Sequence, residues 1–246
     1  MFGCYTKETF GCKSVYNMNS KGLKQTAILF IVLFVPVIGY FLLKTGTNHY
    51  KALPIYGEKQ TTQVTINGKS RVDTIYHEVG SFSFQNQHNE TVNDSVLAGK
   101  IKIVNFFFTT CQTICPKMTT QMERVQKKVQ TIDEITLLSY TVNPEKDDVN
   151  ALANYAKAHN AIKGKWNMLT GPKKDIYELA RRSYLVTALE GDGGPDDFIH
   201  TEMFVLVDPK NRIRGFYDGT SEKAVDSLID DIKVLVKEEI SPKQKK

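Results

Sequence analysis

The sequence has little excess charge and lacks the charge pattern of a nucleic-acid-binding protein. Its formal net charge is +5, from 32 Lys and Arg residues and 27 Asp and Glu residues. Four lysines and one glutamate precede residue 26, which leaves 28 basic and 26 acidic residues in the rest of the chain. No stripe of Lys and Arg interleaved with aromatic residues occurs, so nucleic acid is not expected as a partner. Internal repeats and long low-complexity segments are also lacking, which excludes a repeat architecture.

The one long hydrophobic run, AILFIVLFVPVIGYFLL at residues 27–43, carries no charge. It is flanked by Lys24 and Lys44 and approaches the roughly 20 residues that a membrane-spanning helix needs. No small-residue cleavage site or lipid-attachment cysteine follows it, which favours an uncleaved anchor over a signal peptide. The lysines before the run predict a cytoplasmic N-terminus and export of everything after Lys44. The first arginine is Arg71, which disfavours a mitochondrial transit peptide, so we expect a bacterial inner membrane with the globular domain in the periplasm.

After the anchor, the apolar pattern predicts alternating strands and helices. Asn67-Gly68 is a hairpin signal between two stretches with β propensity, and a second small strand pair is expected at 81–92. The runs IKIVNFFF and ITLLSYTV are continuously apolar, which indicates central strands covered on both faces. Helices are expected after Pro116, at 150–160, at 174–184 and at 222–238, and two strands around the turn at 209–212. This order predicts an α/β fold with helices on a mixed sheet.

Two cysteines, Cys111 and Cys115, lie between a buried strand and the helix that Pro116 begins. In an oxidising compartment they could form a structural disulfide, a redox couple or a metal site. Their position favours the last two, because the N-terminus of a helix stabilises a thiolate. The C-x-x-x-C spacing would let both sulfurs face one point if the turn is helical. Two soft sulfurs suit Cu(I) or Zn(II), but they need a third ligand.

Two further cysteines, Cys4 and Cys12, precede the anchor, where a reducing cytoplasm disfavours a paired role. Met18 offers an alternative start that would remove both.

The chain has five histidines that could supply the third ligand: His49, His77, His88, His159 and His200. The first four have structural interpretations, in a linker, in polar hairpin regions or at a helix end. His200 stands between the glycine-rich loop GDGGPDDFI and the apolar strand MFVLV, at the kind of strand end where α/β proteins place functional groups. Position alone does not decide whether His200 is a ligand or a structural residue.

Four segments in fixed order resemble the Sco/SenC family of membrane-anchored copper-delivery proteins: VNFFFTTCQTICPKMTTQM, LLSYTVNPEKDD, KWNMLTG and DDFIHTEMFVLVDP. The resemblance covers about residues 78–240 and the anchor. It implies a thioredoxin-like fold. Together with the apolar run and the hairpin signal, the predicted fold class is α/β, a thioredoxin-like fold with an N-terminal β-hairpin extension and a single N-terminal transmembrane helix. The resemblance also implies that Cys111, Cys115 and His200 bind copper, as Cu(I) or Cu(II), for delivery to the binuclear copper centre of a cytochrome c oxidase.

One position departs from the family pattern D-P-x-x-D, because Asn143 replaces the first aspartate while Pro144 and Asp147 are kept. The missing charge could weaken delivery, whereas metal binding should survive. The predicted segments are a cytoplasmic N-terminal segment at 1–25, a transmembrane anchor at 26–44, a linker and β-hairpin at 45–77, a thioredoxin-like copper-binding domain at 78–240, and a basic tail at 241–246.

Two functional hypotheses follow from these residues. In the first, the chain is a copper metallochaperone whose partner is the copper-bearing subunit of the oxidase. In the alternative, Cys111 and Cys115 are a thiol-disulfide couple that reduces partner cysteines before metallation. Both use the same sulfurs, because a disulfide between them removes both thiolate ligands. His200 distinguishes them, since a dithiol reductant has little use for a distant imidazole.

Overall fold

The structure is a computed structural model that describes residues 20–45, 52–66, 69–186 and 201–240. The chain forms two units, which divide between Tyr50 and Lys51. The first unit contains one helix, α1 (Ser20–Thr45). Within it, Leu23–Phe41 is long and apolar enough to cross a membrane, and its large apolar side chains are exposed. The single N-terminal apolar helix is as predicted.

The second unit holds nine strands among the described residues, in a seven-stranded sheet and a separate two-stranded hairpin. The strands are β1 (Lys59–Ile66), β2 (Lys69–Tyr76), β3 (Ser83–Asn86), β4 (Thr91–Asn93), β5 (Ile101–Phe107), β6 (Ile135–Thr141), β7 (Trp166–Thr170), β8 (Met203–Val207) and β9 (Ile213–Asp218). The helices are α2 (Cys115–Val129), α3 (Val149–Ala158), α4 (Lys173–Glu178), which continues into a π-helical turn (Leu179–Ser183), and α5 (Glu222–Glu239).

The large sheet is mixed, with the strand order β4-β3-β7-β6-β5-β8-β9. Strand β6 pairs in parallel with both β5 and β7, whereas β8 pairs antiparallel with β5 and β9. Every residue of β5 and β6 is buried, which confirms the two central strands expected from their continuous apolar runs. The hairpin of β1 and β2 is also confirmed, with Ile66 opposite Lys69 on either side of the turn.

Helices cover both faces of the large sheet. On one face, α2 contributes an apolar stripe, of which Met118, Met122 and Val125 have no exposed surface. Burying each such side chain contributes about 1.5–3 kcal/mol, so this stripe fixes α2 against the sheet. On the other face, Ile176 and Ala180 are fully buried in a second cluster, as the pattern at 174–184 predicted.

Two features differ from the sequence-based expectations. Strand β7 was not predicted, because its five residues mix Trp, Asn and Met and become a strand by pairing with β6 inside the sheet. Residues 52–56, interpreted as linker, are bonded to the domain. The Leu53 amide donates to Glu238 Oε1 (3.0 Å), and the Tyr56 amide donates to the Ile213 carbonyl (2.9 Å). The Arg214 guanidinium donates to the carbonyl of Leu53 (2.8 Å) and to Glu238 Oε2 (2.7 Å).

Candidate functional site

The paired cysteines lie where β5 leaves the sheet. Strand β5 ends at Phe107 and α2 begins at Cys115, so the predicted strand-to-helix turn is confirmed. Pro116 occupies the first turn of α2, where its missing N–H would have no partner within the helix. Cys111 lies in the loop at 108–114 and is not helical. The helical winding between the two cysteines that their spacing would allow does not form.

The two thiols are free and differ in burial. Cys115 is 3% exposed, whereas Cys111 is partly exposed. Each thiol influences the pKa of the other. Cys111 Sγ also lies 3.6 Å from Thr113 Oγ1, and the Cys111 amide donates to the Phe108 carbonyl (3.3 Å). The site therefore has one accessible sulfur, that of Cys111, and one buried sulfur, that of Cys115.

The local environment separates the pKa values of the two thiols. Burial disfavours the Cys111 thiolate, but hydrogen bonds from Cys115 and from the backbone near Thr113 and Cys115 outweigh it and lower the Cys111 pKa from 9.0 to about 7. Burial raises the pKa of Cys115 to about 12, with further contributions from Cys111 and from the charge of Asp147. The thiolate is thus stabilised in the loop and not at the first helical residue, because Cys115 is too buried for the helix terminus to compensate.

A buried carboxylate holds the loop that leads to Cys111. Asp147 has no exposed surface. Its Oδ2 accepts from the Thr109 amide (3.0 Å) and from Thr141 Oγ1 (2.5 Å), and its Oδ1 accepts from Thr109 Oγ1 (2.5 Å). The Asn143 carbonyl accepts from the Asp147 amide (2.9 Å). The backbone of Asn143, the position that differs from the family pattern, therefore helps to hold Asp147 in place. Sequence reasoning missed Thr141, the last residue of β6, and Thr109, which follows the end of the neighbouring parallel strand β5.

The predicted third ligand, His200, lies outside the described residues. Within the described ranges, no three His, Cys, Asp or Glu side chains form a metal-binding cluster. The chain enters β8 from Thr201, a buried residue whose Oγ1 accepts from the Met203 amide (3.2 Å). Because β8 runs antiparallel to β5, the first residue of β8 lies at the same end of the sheet as the last residue of β5. The loop to Cys111 leaves the sheet at that end.

Two other histidines have structural partners. His77 Nε2 lies 2.8 Å from the Ser183 carbonyl oxygen, at the end of the π-helical turn. His159 follows α3, and its Nδ1 lies 2.7 Å from Glu123 Oε1 on α2. His49 lies outside the described residues.

The sequence and the fold are similar to those of known proteins. A family model described as SCO1/SenC matches residues 71–237. The SCO1 protein homolog of Bacillus subtilis (strain 168) is 33% identical over 168 residues, which cover 68% of this chain and 86% of that relative.

Two solved structures extend the similarity to the fold. BsSco, described as a member of the Sco family of cytochrome c oxidase assembly proteins and as having a disulfide switch, is 33% identical with a TM-score of 0.56, over 65% of this chain and 93% of its own. Arabidopsis thaliana ScoI, solved with copper bound, is 26% identical with a TM-score of 0.52, over 65% of this chain and 98% of its own. These likenesses confirm the predicted α/β thioredoxin-like architecture.

Proposed function

This chain belongs to the SCO1/SenC family, and from that premise we propose that it is a membrane-anchored copper chaperone that delivers copper to the binuclear copper centre of a cytochrome c oxidase. The proposed ligands are Cys111, Cys115 and His200. The observation that carries the proposal is the pair of free thiols that the structure places after the end of β5, one partly exposed and one buried.

The donor chemistry of the described residues fits copper as cargo. Thiolate sulfur is a soft ligand that selects Cu(I), and the Cys111 thiol, with a pKa lowered to about 7, is about half ionised at neutral pH. Cys115 needs metal binding to displace its proton, because its pKa is raised to about 12. An imidazole from His200 would complete a trigonal site that suits Cu(I) and that Cu(II) could share with an added ligand. The copper-bound ScoI of Arabidopsis thaliana supports this cargo.

The proposed partner is the copper-bearing subunit of the oxidase. The description of BsSco as a cytochrome c oxidase assembly protein supports this assignment. The proposed location is a bacterial inner membrane, held by α1, with the thiol-bearing domain in the periplasm. The length and apolar composition of Leu23–Phe41 support the anchor, and the lysines before it support the orientation.

The second candidate is a thiol-disulfide reductant, and the separated pKa values of the two thiols favour it. The Cys111 thiolate would attack a partner disulfide, form a mixed disulfide and release one partner thiolate. The Cys115 thiol would then lose its proton and attack Cys111 Sγ, which releases the second partner thiolate. The partner gains two electrons, and this chain ends with a Cys111–Cys115 disulfide. The disulfide switch named for BsSco is compatible with this use of the sulfurs.

Replacement of His200 separates the two candidates. The experiment compares the reduced full-length protein, purified in detergent, with its His200→Ala variant for copper stoichiometry and for reduction of a model disulfide. We expect His200→Ala to lose copper affinity by at least about 10- to 100-fold, as for loss of a supporting group at a metal site, and to keep its dithiol activity. His88→Ala, at an exposed histidine, is the matched control and should bind copper like the parent. Unchanged copper binding by His200→Ala would overturn the proposed ligand set.

A further inference from the structure

Two side-chain interactions connect α2 with α3 and the residue that follows it. Cys115, Thr119 and Glu123 recur at four-residue intervals on α2, so they lie along one face of that helix. Tyr155 on α3 and His159, the residue that follows α3, are also four positions apart. Thr119 Oγ1 and the Tyr155 hydroxyl share a hydrogen bond of 2.8 Å, and His159 Nδ1 lies 2.7 Å from Glu123 Oε1.

The Tyr155 ring packs against the last residue of β5 and against the residue that follows α3. Its centroid is 5.3 Å from that of Phe107, the last residue of β5, and 4.4 Å from that of His159. The ring packs against the hydrophobic cluster that contains Cys115, and Cys111 packs against the same cluster. Burial raises the pKa of Tyr155, and the charges of Cys115 and Cys111 raise it further.

The start of α2 needs such support. Its N-cap residue, Ile114, provides no side-chain hydrogen bond to the free backbone amides, and a helix end without a cap frays more easily. Cys115 is nevertheless 3% exposed. The bond from Thr119 to Tyr155 lies one turn further into the helix, where it can hold the first turn against α3.

We propose that Tyr155 is a positioning residue that keeps Cys115 buried, so that an incoming copper ion or partner sulfur meets Cys111 first and Cys115 second. The order of contact rests on the proposed function, whereas the burial of Cys115 by Tyr155 does not depend on it. The hydroxyl fixes the ring through Thr119, and the Glu123–His159 pair supports the ring from its other side. On delivery, the accessible Cys111 sulfur would give way to a ligand of the partner before the buried Cys115 sulfur releases the metal.

The first test measures the accessibility of each thiol. The reduced, copper-free full-length protein in detergent is treated with iodoacetamide for timed intervals, and alkylation at Cys111 and Cys115 is quantified separately by mass spectrometry. We expect Tyr155→Ala to raise the alkylation rate of Cys115 by about tenfold, because an aromatic contact of this kind is worth up to about a factor of ten in a local equilibrium. The rate at Cys111 should change less than the rate at Cys115, because Cys111 is already partly exposed in the parent.

Three further variants distinguish positioning from general loosening. Tyr155→Phe keeps the ring and should restore most of the protection of Cys115. Thr119→Val removes only the hydroxyl partner and should raise the Cys115 rate slightly. Leu152→Ala creates a cavity beneath α3, at a fully buried position of the cluster that contains Cys115. It should leave the alkylation rate of Cys115 nearly unchanged. If Leu152→Ala exposes Cys115 as much as Tyr155→Ala does, or if Tyr155→Ala has no effect, the proposal is wrong.

The second test uses the redox equilibrium of the Cys111–Cys115 pair with dithiothreitol. A freed Cys115 spends less time beside Cys111, so the equilibrium constant for their disulfide should fall several-fold in Tyr155→Ala and recover in Tyr155→Phe. An unchanged constant in Tyr155→Ala would contradict the positioning role. Copper titration of the parent separates this inference from the proposed function. If the parent binds no copper while Tyr155→Ala exposes Cys115, the chaperone function is refuted and the positioning role of Tyr155 is retained.

Discussion

The carboxylate of Asp147 accepts a hydrogen bond from the backbone amide of Thr109, two residues before Cys111. The two residues are 38 positions apart in the chain. The path of the thiol-bearing loop after β5 therefore depends on a carboxylate that follows the next strand, β6. Because Asp147 is fully buried, its three hydrogen bonds are not replaced by water when one partner is changed.

Replacing Asp147 by Asn should destabilise the domain and loosen the loop. An amide offers one acceptor oxygen to the three donors that now face the carboxylate, so at least one donor loses its partner. We expect a loss of about 2–3 kcal/mol in the free energy of unfolding, the size typical of hydrogen bonds to a charged group, measured by urea denaturation. Asp148→Asn is the control, because Asp148 caps α3 through the Ala151 amide and Asn caps about equally well. Equal stability of Asp147→Asn and the parent would contradict this role.

The reactivity of Cys111 should follow its lowered pKa. Alkylation of Cys111 in the reduced protein is expected to rise with pH around a midpoint near about 7, while Cys115 stays unreactive through that range. In Cys115→Ala the Cys111 thiolate loses the hydrogen bond from its neighbour, so the midpoint should move upward toward 9.0. A pH profile that is identical in parent and variant would show that Cys115 does not stabilise the thiolate.

Oxidation should control copper loading. A disulfide between Cys111 and Cys115 consumes both sulfur ligands, so the oxidised protein should take up almost no copper while the reduced protein binds about one ion per chain. Copper content after desalting and thiol content by titration are measured on both forms. Equal copper uptake by the two forms would rule out the sulfur ligands.

Lys102 should give the stability of the domain a distinct pH dependence. It is 2% exposed and donates to Asn211 Oδ1 (2.7 Å), and burial lowers its pKa from 10.5 to about 8. Between these values the unfolded chain binds the proton and the folded chain has released it, so this group makes stability rise with pH above about 8. Comparing urea denaturation of the parent and Lys102→Met across this range should show a steeper rise in the parent. Parallel curves would exclude the effect.

The topology predicts where protease can reach the chain. In intact cells with a permeable outer envelope, external protease should digest the thiol-bearing domain, and membrane fractions should retain the full-length protein. Deleting residues 1–44 should move the domain to the soluble fraction, because both hydrophobic clusters are built from residues of the second unit. A domain that is digested only after the cytoplasmic membrane is broken would reverse the orientation.

The sequence was informative where a pattern is local. The continuous apolar runs of β5 and β6 and the spacing of Met118, Met122 and Val125 each arise from the geometry of one element, and these elements form as predicted. Strand β7 was missed because its short mixed sequence becomes a strand only through its neighbours. The difference between the two thiols was missed for a related reason: Cys115 is buried in a cluster that includes residues of β5 and α3, which its own segment does not reveal.

The bonds at residues 53–56 have a mechanical consequence. A pull applied to the chain from its N-terminal side reaches Leu53 before any strand of the large sheet. There it meets Glu238 on α5 and the Arg214 guanidinium, which is 4% exposed and lies 3.2 Å from Asp208 Oδ2. The load would pass into the C-terminal helix and the edge strand β9, on the far side of β8 from β5. A force applied from the N-terminal side would thus be borne first by the ion pairs of Arg214, and only afterwards by the turn that carries the two sulfurs.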